Sequence, residues 1–256
     1  ELSPLLDGCD GVFHLAAQAG VRSSWGQEFH CYTRDNVLAT QRLFEACRGR
    51  CLERVVYASS SSVYGDAQTL PTGEDAELRP ISPYGVSKLA VENLARVYHD
   101  SFGVPAVGLR YFTVYGPRQR PDMAFHRFLR RALQEQAIPV YGPGQQTRDF
   151  TDVDDAVEAT IAAMVRGVQG RVYNIGGGEP TTLARTLEIL EEKLGRPIRR
   201  EHLEAQTGDV EHTSARTALA RQDLGYDPQI GMQEGLGRMV AWFTRVWQTR
   251  PEMRQG

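Results

Sequence analysis

The sequence predicts an α/β fold with a doubly wound parallel sheet, and three observations predict it. Short apolar runs rich in β-branched residues recur along the first half, as in R-V-V-Y-A-S. They do not alternate polar with apolar, the pattern of strands covered on both faces. Between them lie longer segments whose apolar residues repeat at helical spacing, so strand and helix alternate in the rhythm of βαβ units.

Taken in order, the first strand is Gly11 to Ala16, G-V-F-H-L-A, ending in small residues. Arg34 to Cys47 has helical spacing through Val37, Leu38, Leu43 and Phe44. Arg54 to Ser59 is the β-branched strand. Pro83 to His99 predicts a long helix, with Ser82 as N-cap and Pro83 in its first turn. Val104 to Phe112 predicts another buried strand, interrupted by Pro105. Beyond Tyr115 the texture changes to G-P-R-Q-R-P, followed by a helix from about Ala124 to Gln136. Asp154 to Val165 is helical, and R-V-Y-N-I-G-G-G returns as a strand with a glycine-rich exit. The tail predicts helices at Thr182 to Leu194, Ala215 to Leu224 and Met232 to Trp247, with no internal repeats.

Composition narrows the partners. A chain of 256 residues with 41% hydrophobic and 24% charged residues can bury an ordinary core. Its net charge of −3 argues against nucleic acid and against a membrane surface as partner. No apolar stretch reaches the length of a membrane span, and the opening residues lack a signal-peptide pattern, so the expected location is cytoplasmic. Cys9, Cys31, Cys47 and Cys51 lack zinc-like pairing and are expected as reduced thiols, and with the six histidines scattered no metal is expected.

The chemistry-bearing residues are Tyr84 and Lys88 in S-P-Y-G-V-S-K, downstream of the run A-S-S-S-S-V-Y-G. Four residues apart on a helix, they share one face. Lys88 is then expected to hold its ammonium near the Tyr84 phenol and lower a pKa that is ordinarily about 10. A phenol tuned in this way exchanges a proton with a hydroxyl near neutral pH. The choice of lysine is itself informative. The sequence has lysine only at 88 and 193 against 27 arginines. A compact ammonium suits a seat shared by a phenol and a ribose hydroxyl, where a guanidinium fork does not fit.

A doubly wound sheet that binds a dinucleotide carries a glycine fingerprint in its first strand-helix turn. No G-x-x-G-x-x-G follows a strand here, and Gly176 to Gly178 lies too late to serve. The opening E-L-S-P-L-L-D-G-C-D reads as the end of a helix running into a mid-sheet strand. The expectation is that about two βαβ units, roughly 60 residues, precede it in a longer protein.

In order, H-L-A-A-Q, S-S-S-S-V-Y-G, Y-G-V-S-K, R-Y-F-T-V-Y-G-P and R-D-F-T-D-V-D-D resemble the extended short-chain dehydrogenase/reductase family. The likeness is to its nucleotide-sugar epimerases and dehydratases, and it covers essentially the whole chain. It implies a Rossmann-like doubly wound parallel sheet, its N-terminal strands missing, with a smaller C-terminal α/β substrate domain. Residues 1–116 would be the remainder of an NAD-binding domain, rejoined by the strand at 171–176. Residues 117–150 and 177–256 would mainly bind the UDP-sugar. The resemblance implies NAD as cofactor, a UDP-sugar as substrate and a homodimer as the full-length form.

By that resemblance Leu15, Ala16, Ala17 and Gln18 would lie along the NAD and Asn36 would help hold it. Tyr84 and Lys88 would flank the nicotinamide ribose, and Phe112 would pass near the nicotinamide. Ser60 aligns with the family's active-site Ser/Thr and would assist Tyr84 at the sugar's 4-oxygen. The family's dehydratases carry Asp-Glu at the next two positions, and its UDP-glucuronate decarboxylases a Glu before V-Y-G. Ser61 and Ser62 stand there in this chain and are poor bases, which disfavours both reactions. The implied chemistry is transient oxidation: the 4-hydroxyl proton goes to Tyr84, hydride passes from C4 to NAD and returns to the opposite face. On the substrate side Arg148 matches an arginine on the diphosphate, Tyr141 an aromatic stacked on uracil, and Asp209 an acid near the nucleoside. UDP-glucose 4-epimerases usually place Asn after R-Y-F and Arg in an R-P-G-D segment. Thr113 and Gln206 stand at those places and look like the UDP-glucuronate 4-epimerases. Thr113, Ser61, Ser62, Arg22 and Arg120 are then candidates to receive a carboxylate. A UDP-glucose 4-epimerase and a catalytically silent nucleotide-binding protein remain the alternatives.

Overall fold

The structure is a computed structural model that describes residues 2–142, 144–204 and 210–250. In the first half, strand β1 (Gly11–His14) leads to α1 (Phe29–Tyr32) and α2 (Ala39–Cys47), then to β2 (Arg54–Ser60), α3 (Pro83–Phe102) and β3 (Ala106–Tyr111). A short β4 (Thr113–Tyr115) follows, then α4 (Ala124–Leu133), β5 (Ile138–Tyr141), β6 (Thr147–Asp152) and α5 (Val153–Arg166). The remainder is β7 (Val172–Ile175), β8 (Pro180–Thr182), α6 (Leu183–Leu194), β9 (Arg200–Leu203), α7 (Ala218–Leu224) and α8 (Met232–Thr249).

The main sheet has the order β1-β2-β3-β7, with every pairing parallel. Side chains of a strand alternate between faces, and both faces of β2 are covered. Val55 and Tyr57 pack with Leu43 and Phe44 of α2 and Val91, Ala95 and Tyr98 of α3. Val56 packs the opposite way, with Ala159 and Ala163 of α5 and Ala220 and Leu224 of α7. This is the expected doubly wound sheet. A separate core joins α4, β5, α6 and α8 around Phe125, Ile138, Leu187, Leu190 and Phe243. Two small sheets serve it, β4-β6-β8 and the pair β5-β9. No helix among the described residues is long and apolar enough to cross a membrane.

Several predicted bounds shift for local reasons. The first strand stops at His14 rather than Ala16, because the backbone of Gln18 bonds to Asn36 instead of a neighbouring strand. The third strand starts at Ala106, after Pro105, which has no N–H to offer and only accepts from Val55 N (2.8 Å). Helix α3 runs past His99 to Phe102 and stops at Gly103, in the left-handed conformation that ends helices (φ 67°). Its start agrees with expectation: Ser82 Oγ accepts from Gly85 N (3.1 Å) and Pro83 fills the first turn. The helix expected from Arg34 is wound as a π-helix over Thr33–Leu38 before α2, and the one expected from Ala215 begins at Ala218. Strands β4, β5, β6, β8 and β9 had no separate signal. They are three to six residues long, and β9 is exposed throughout.

Candidate active site

The site lies where parallel strands end and a helix begins, the usual place for ligands in open α/β sheets. Ser60, the last residue of β2, caps the turn after it: its Oγ accepts from Ser62 N (3.1 Å). The same hydroxyl donates to Ser62 Oγ (3.1 Å) and faces the Tyr84 phenol in the first turn of α3, whose ionised form it favours. Gly85 makes this approach feasible. A Cβ there would sit 2.5 Å from Ser62 O and 2.9 Å from Pro80 Cβ, so only glycine lets the serine loop lie against the helix start. Tyr32 braces the phenol edge-on, with ring centroids 6.2 Å apart at 73°.

Lys88 is 4% exposed and its Nζ donates to the carbonyl of Ala58 (2.8 Å). The ammonium stands 6.0 Å from the centre of the Tyr84 ring. Burial pushes its pKa down to about 8, and Glu92 acts against that fall. The Tyr84 phenol lies above its ordinary value because it is buried; the Ser60 hydrogen bond and the Arg120 guanidinium pull it back down. This corrects the expectation that Lys88 lowers it. The shared helix face is real, but Lys88 turns its ammonium to the β2 carbonyl, and the groups that favour the phenolate here are Ser60 and Arg120.

On the cofactor side, Leu15, Ala16, Ala17 and Gln18 form an exposed ledge beyond β1. Asn36, 1% exposed, fixes it: its Oδ1 accepts from Gln18 N (2.7 Å) and its Nδ2 donates to Gln18 O (2.9 Å) and Ser87 Oγ (2.9 Å). Ser87 in turn donates to Tyr84 O (2.7 Å), so one side chain ties the ledge to the helix that carries Tyr84 and Lys88. These residues fit the ribose and nicotinamide end of NAD. Ala16 and Ala17 offer backbone behind methyl side chains, and Lys88 has donors beyond the one given to Ala58. Phe112 is 3% exposed and packs against Tyr64, with centroids 6.4 Å apart, beneath the serine loop.

On the substrate side, Thr113 opens β4 and is half-buried next to Phe112. Arg120 pairs with Asp122 at the surface (3.0 Å) while its charge reaches Tyr84. Arg22 lies over the ring of Tyr141, 4.8 Å from its centre, bringing a loop of the main sheet to the end of β5. Arg148 donates to Thr147 O (2.9 Å) and Glu211 O (3.1 Å). Gln206 and Asp209 lie outside the described residues. Ser60, Tyr84, Lys88, Asn36 and Gln18 are thus brought together, with Ser61, Ser62 and Arg120 around them, and Arg22 with Tyr141 forms a second cluster.

Sequence reasoning missed Asp149, which is fully buried in β6. Its Oδ1 accepts from Gly177 N (2.7 Å) and Gly178 N (3.2 Å) and its Oδ2 from Ala215 N (2.8 Å), binding the glycine-rich exit of β7 to the next segment. Burial raises its pKa and these three N–H bonds lower it. The only signal was its place in the R-D-F-T-D-V-D-D motif, between Arg148 and Phe150.

Comparison with known proteins agrees with this geometry. A model of the NAD dependent epimerase/dehydratase family matches residues 1–176. A Bacillus subtilis protein described as an uncharacterized UDP-glucose epimerase, YtcB, is 44% identical over 249 residues, 97% of this chain and 78% of its own length. The UDP-glucuronate 4-epimerase of Thermodesulfobacterium geofontis is 39% identical over 233 residues, 90% of this chain and 71% of its own length. The crystal structure of the UDP-glucuronic acid 4-epimerase from Bacillus cereus, in complex with UDP-glucuronic acid and NAD, superposes with a TM-score of 0.93 at 42% identity, covering 96% of this chain and 79% of that one. With a hydroxyl, a phenol and a buried ammonium gathered at the end of a doubly wound sheet, and with these matches, the chain belongs to the NAD dependent epimerase/dehydratase family.

Proposed function

We propose that the protein is an NAD-dependent UDP-sugar 4-epimerase that interconverts UDP-glucuronate and UDP-galacturonate. The observation that carries this reading is the serine loop against Tyr84. Ser60 favours the ionised phenol, and the neighbouring positions hold Ser61 and Ser62, hydroxyls without a carboxylate base. Tyr84, ionised as the phenolate, accepts the 4-hydroxyl proton of the sugar and becomes the phenol, and Ser60 favours the phenolate before the transfer. Lys88 holds the ribose side of the site and adds positive charge at its edge. When bound, NAD supplies the acceptor for the C4 hydride and its donor on return. Turning the 4-keto sugar between the two transfers inverts C4 with no net redox change. On this reading Thr113, Ser61, Ser62 and Arg120 receive the sugar carboxylate, a group that a charged fork with hydroxyls suits. Tyr141 and Arg22 supply an aromatic face and a cation for the nucleotide.

Epimerisation of UDP-glucose is the second reading, favoured by the likeness to the Bacillus subtilis relative. Incubation with UDP-glucuronate and NAD, followed by chromatography, should give UDP-galacturonate without CO2 release. A dominant UDP-pentose product would overturn the proposal, and higher kcat/KM with UDP-glucose would establish the second reading. Thr113→Asn should lower the UDP-glucuronate to UDP-glucose ratio of kcat/KM by about 10-fold, the effect of one hydrogen bond to a charged group. An unchanged ratio would remove Thr113 from carboxylate recognition.

A further inference from the structure

Behind Lys88 a polar network crosses the core without reaching the proposed substrate. Glu92, one helical turn beyond Lys88, is 7% exposed and accepts from Ser59 Oγ of β2. Arg110 of β3, 4% exposed, grips the same carboxylate in a fork, Nε to Oε1 (2.9 Å) and Nη2 to Oε2 (2.8 Å). Ser59 and Arg110 are register partners, so Glu92 sits across the seam between the two strands. Arg110 Nη1 donates to Tyr64 OH (2.7 Å), and Tyr64 OH donates to Asn174 Oδ1 of β7 (2.7 Å). Tyr64 belongs to the V-Y-G that closes the serine loop. One buried network thus joins α3, β2, β3, β7 and that loop.

We propose that Glu92 is a positioning residue for the active site, anchoring the turn of α3 that carries Lys88 and supplying the buried counter-charge to its ammonium. The inference rests on the 4-epimerase reading for its catalytic consequence but not for its geometry. An ammonium held against one backbone carbonyl is poorly compensated for leaving water, so a carboxylate four residues along the helix is its natural support. Arg110 limits that support by sharing the same carboxylate. The titratable groups around Lys88 are His14 from β1, Tyr84 and Glu92 on α3 and, behind Glu92, Arg110 and Tyr57. His14 is held by Thr40 (2.8 Å) and shifted down by burial and by the Lys88 charge, so it supplies no anion. Glu92 is the anion of this set.

The chain offers a direct test, because it has two lysines. Labelling lysine with 13C at Cε gives two side-chain signals, with exposed Lys193 as internal reference and Lys88→Arg for assignment. Replacing Glu92 by Gln keeps the shape and removes the charge, so the Lys88 midpoint should fall by about one pH unit. Glu92→Asp should keep it near the wild-type value. Arg110→Gln frees the carboxylate and should move the midpoint in the opposite direction, upward. Shifts of opposite sign are not expected from loosened packing, and Arg110→Gln keeps the test usable if Glu92→Gln does not fold. In the NAD-loaded protein, the limb of kcat/KM for UDP-glucuronate that breaks near pH 8 should follow the Lys88 midpoint in each variant. A midpoint that stays put in a folded Glu92→Gln, or that moves the same way in Arg110→Gln, would overturn the proposal. An active enzyme whose limb ignores the midpoint would do the same. Midpoints that move as expected in a protein inactive on every UDP-sugar would leave the charge coupling standing and reject the 4-epimerase reading.

Discussion

Lys88 is held where an ammonium is expensive. Its pKa falls from the ordinary 10.5 to about 8 because the site is buried. Below about pH 8 the folded chain must carry this buried charge, a cost of about 3 kcal/mol at 1.36 kcal/mol per unit. Between about pH 8 and 10.5 the unfolded chain binds the extra proton and the folded chain does not, so this residue's contribution to stability rises with pH there. Lys88→Met should therefore raise stability at pH 7 by about 1–3 kcal/mol while abolishing turnover, with the gain fading towards pH 10; urea melts at several pH values read it. Lower stability at pH 7 would show that the bond to Ala58 outweighs the burial cost. Tyr84→Phe should cut turnover by at least about 10²-fold while UDP binding persists. Because the ammonium titrates near 8, below the buried phenol, the form carrying both charges is a minor one at every pH, so wild-type kcat/KM should rise up to about pH 8 and then level off.

The elements that build the site depend on two close backbone approaches. Gly85 admits the serine loop, and Gly177 would place a Cβ 1.9 Å from Phe150 O. Gly85→Ala should push Ser60 and Ser62 away from the phenol and lower kcat by about 10-fold or more while the helix still forms, because alanine favours helix. Unchanged kcat would mean that the loop does not need this contact. At the other approach, Asp149 gathers the N–H groups of Gly177, Gly178 and Ala215. Asn in its place sets an amide N–H₂ against a backbone donor, which should cost about 1–3 kcal/mol in denaturant unfolding. The acid was visible in the sequence; the two segments it binds come from 28 to 66 residues away and were not.

At the scale of the molecule, Arg22, in the loop that follows β1, lies over Tyr141 at the end of β5, so the main sheet and the second group of elements touch at this pair. Single substitutions of either by Ala should weaken UDP binding, and the double variant should lose less than the sum, by about 0.5–1 kcal/mol, the worth of an exposed cation–π pair. Calorimetric titration with UDP measures this. Strict additivity would show that the two residues act on the nucleotide independently.

The sequence by itself determined the class of fold and the chemical pair at its centre. Continuous apolar strands require cover on both faces, and the spacing of Ser82, Pro83, Tyr84 and Lys88 places a capped helix with both functional residues on one face. Those are local constraints, written in neighbouring residues. The direction of the Lys88 ammonium was not among them. It is decided by a carbonyl of β2 and by Glu92, which Arg110 shares from the next strand. The same holds for the influence of Ser60 on the phenol and for the clamp of Asn36 on Gln18 and Ser87, partners 18 and 51 residues away. Short polar strands such as β9 exist because a partner strand satisfies their backbone, which leaves no periodic trace in their own residues. Folding brings these distant polar groups together, and only burial makes their charges strong enough to set each other's protonation.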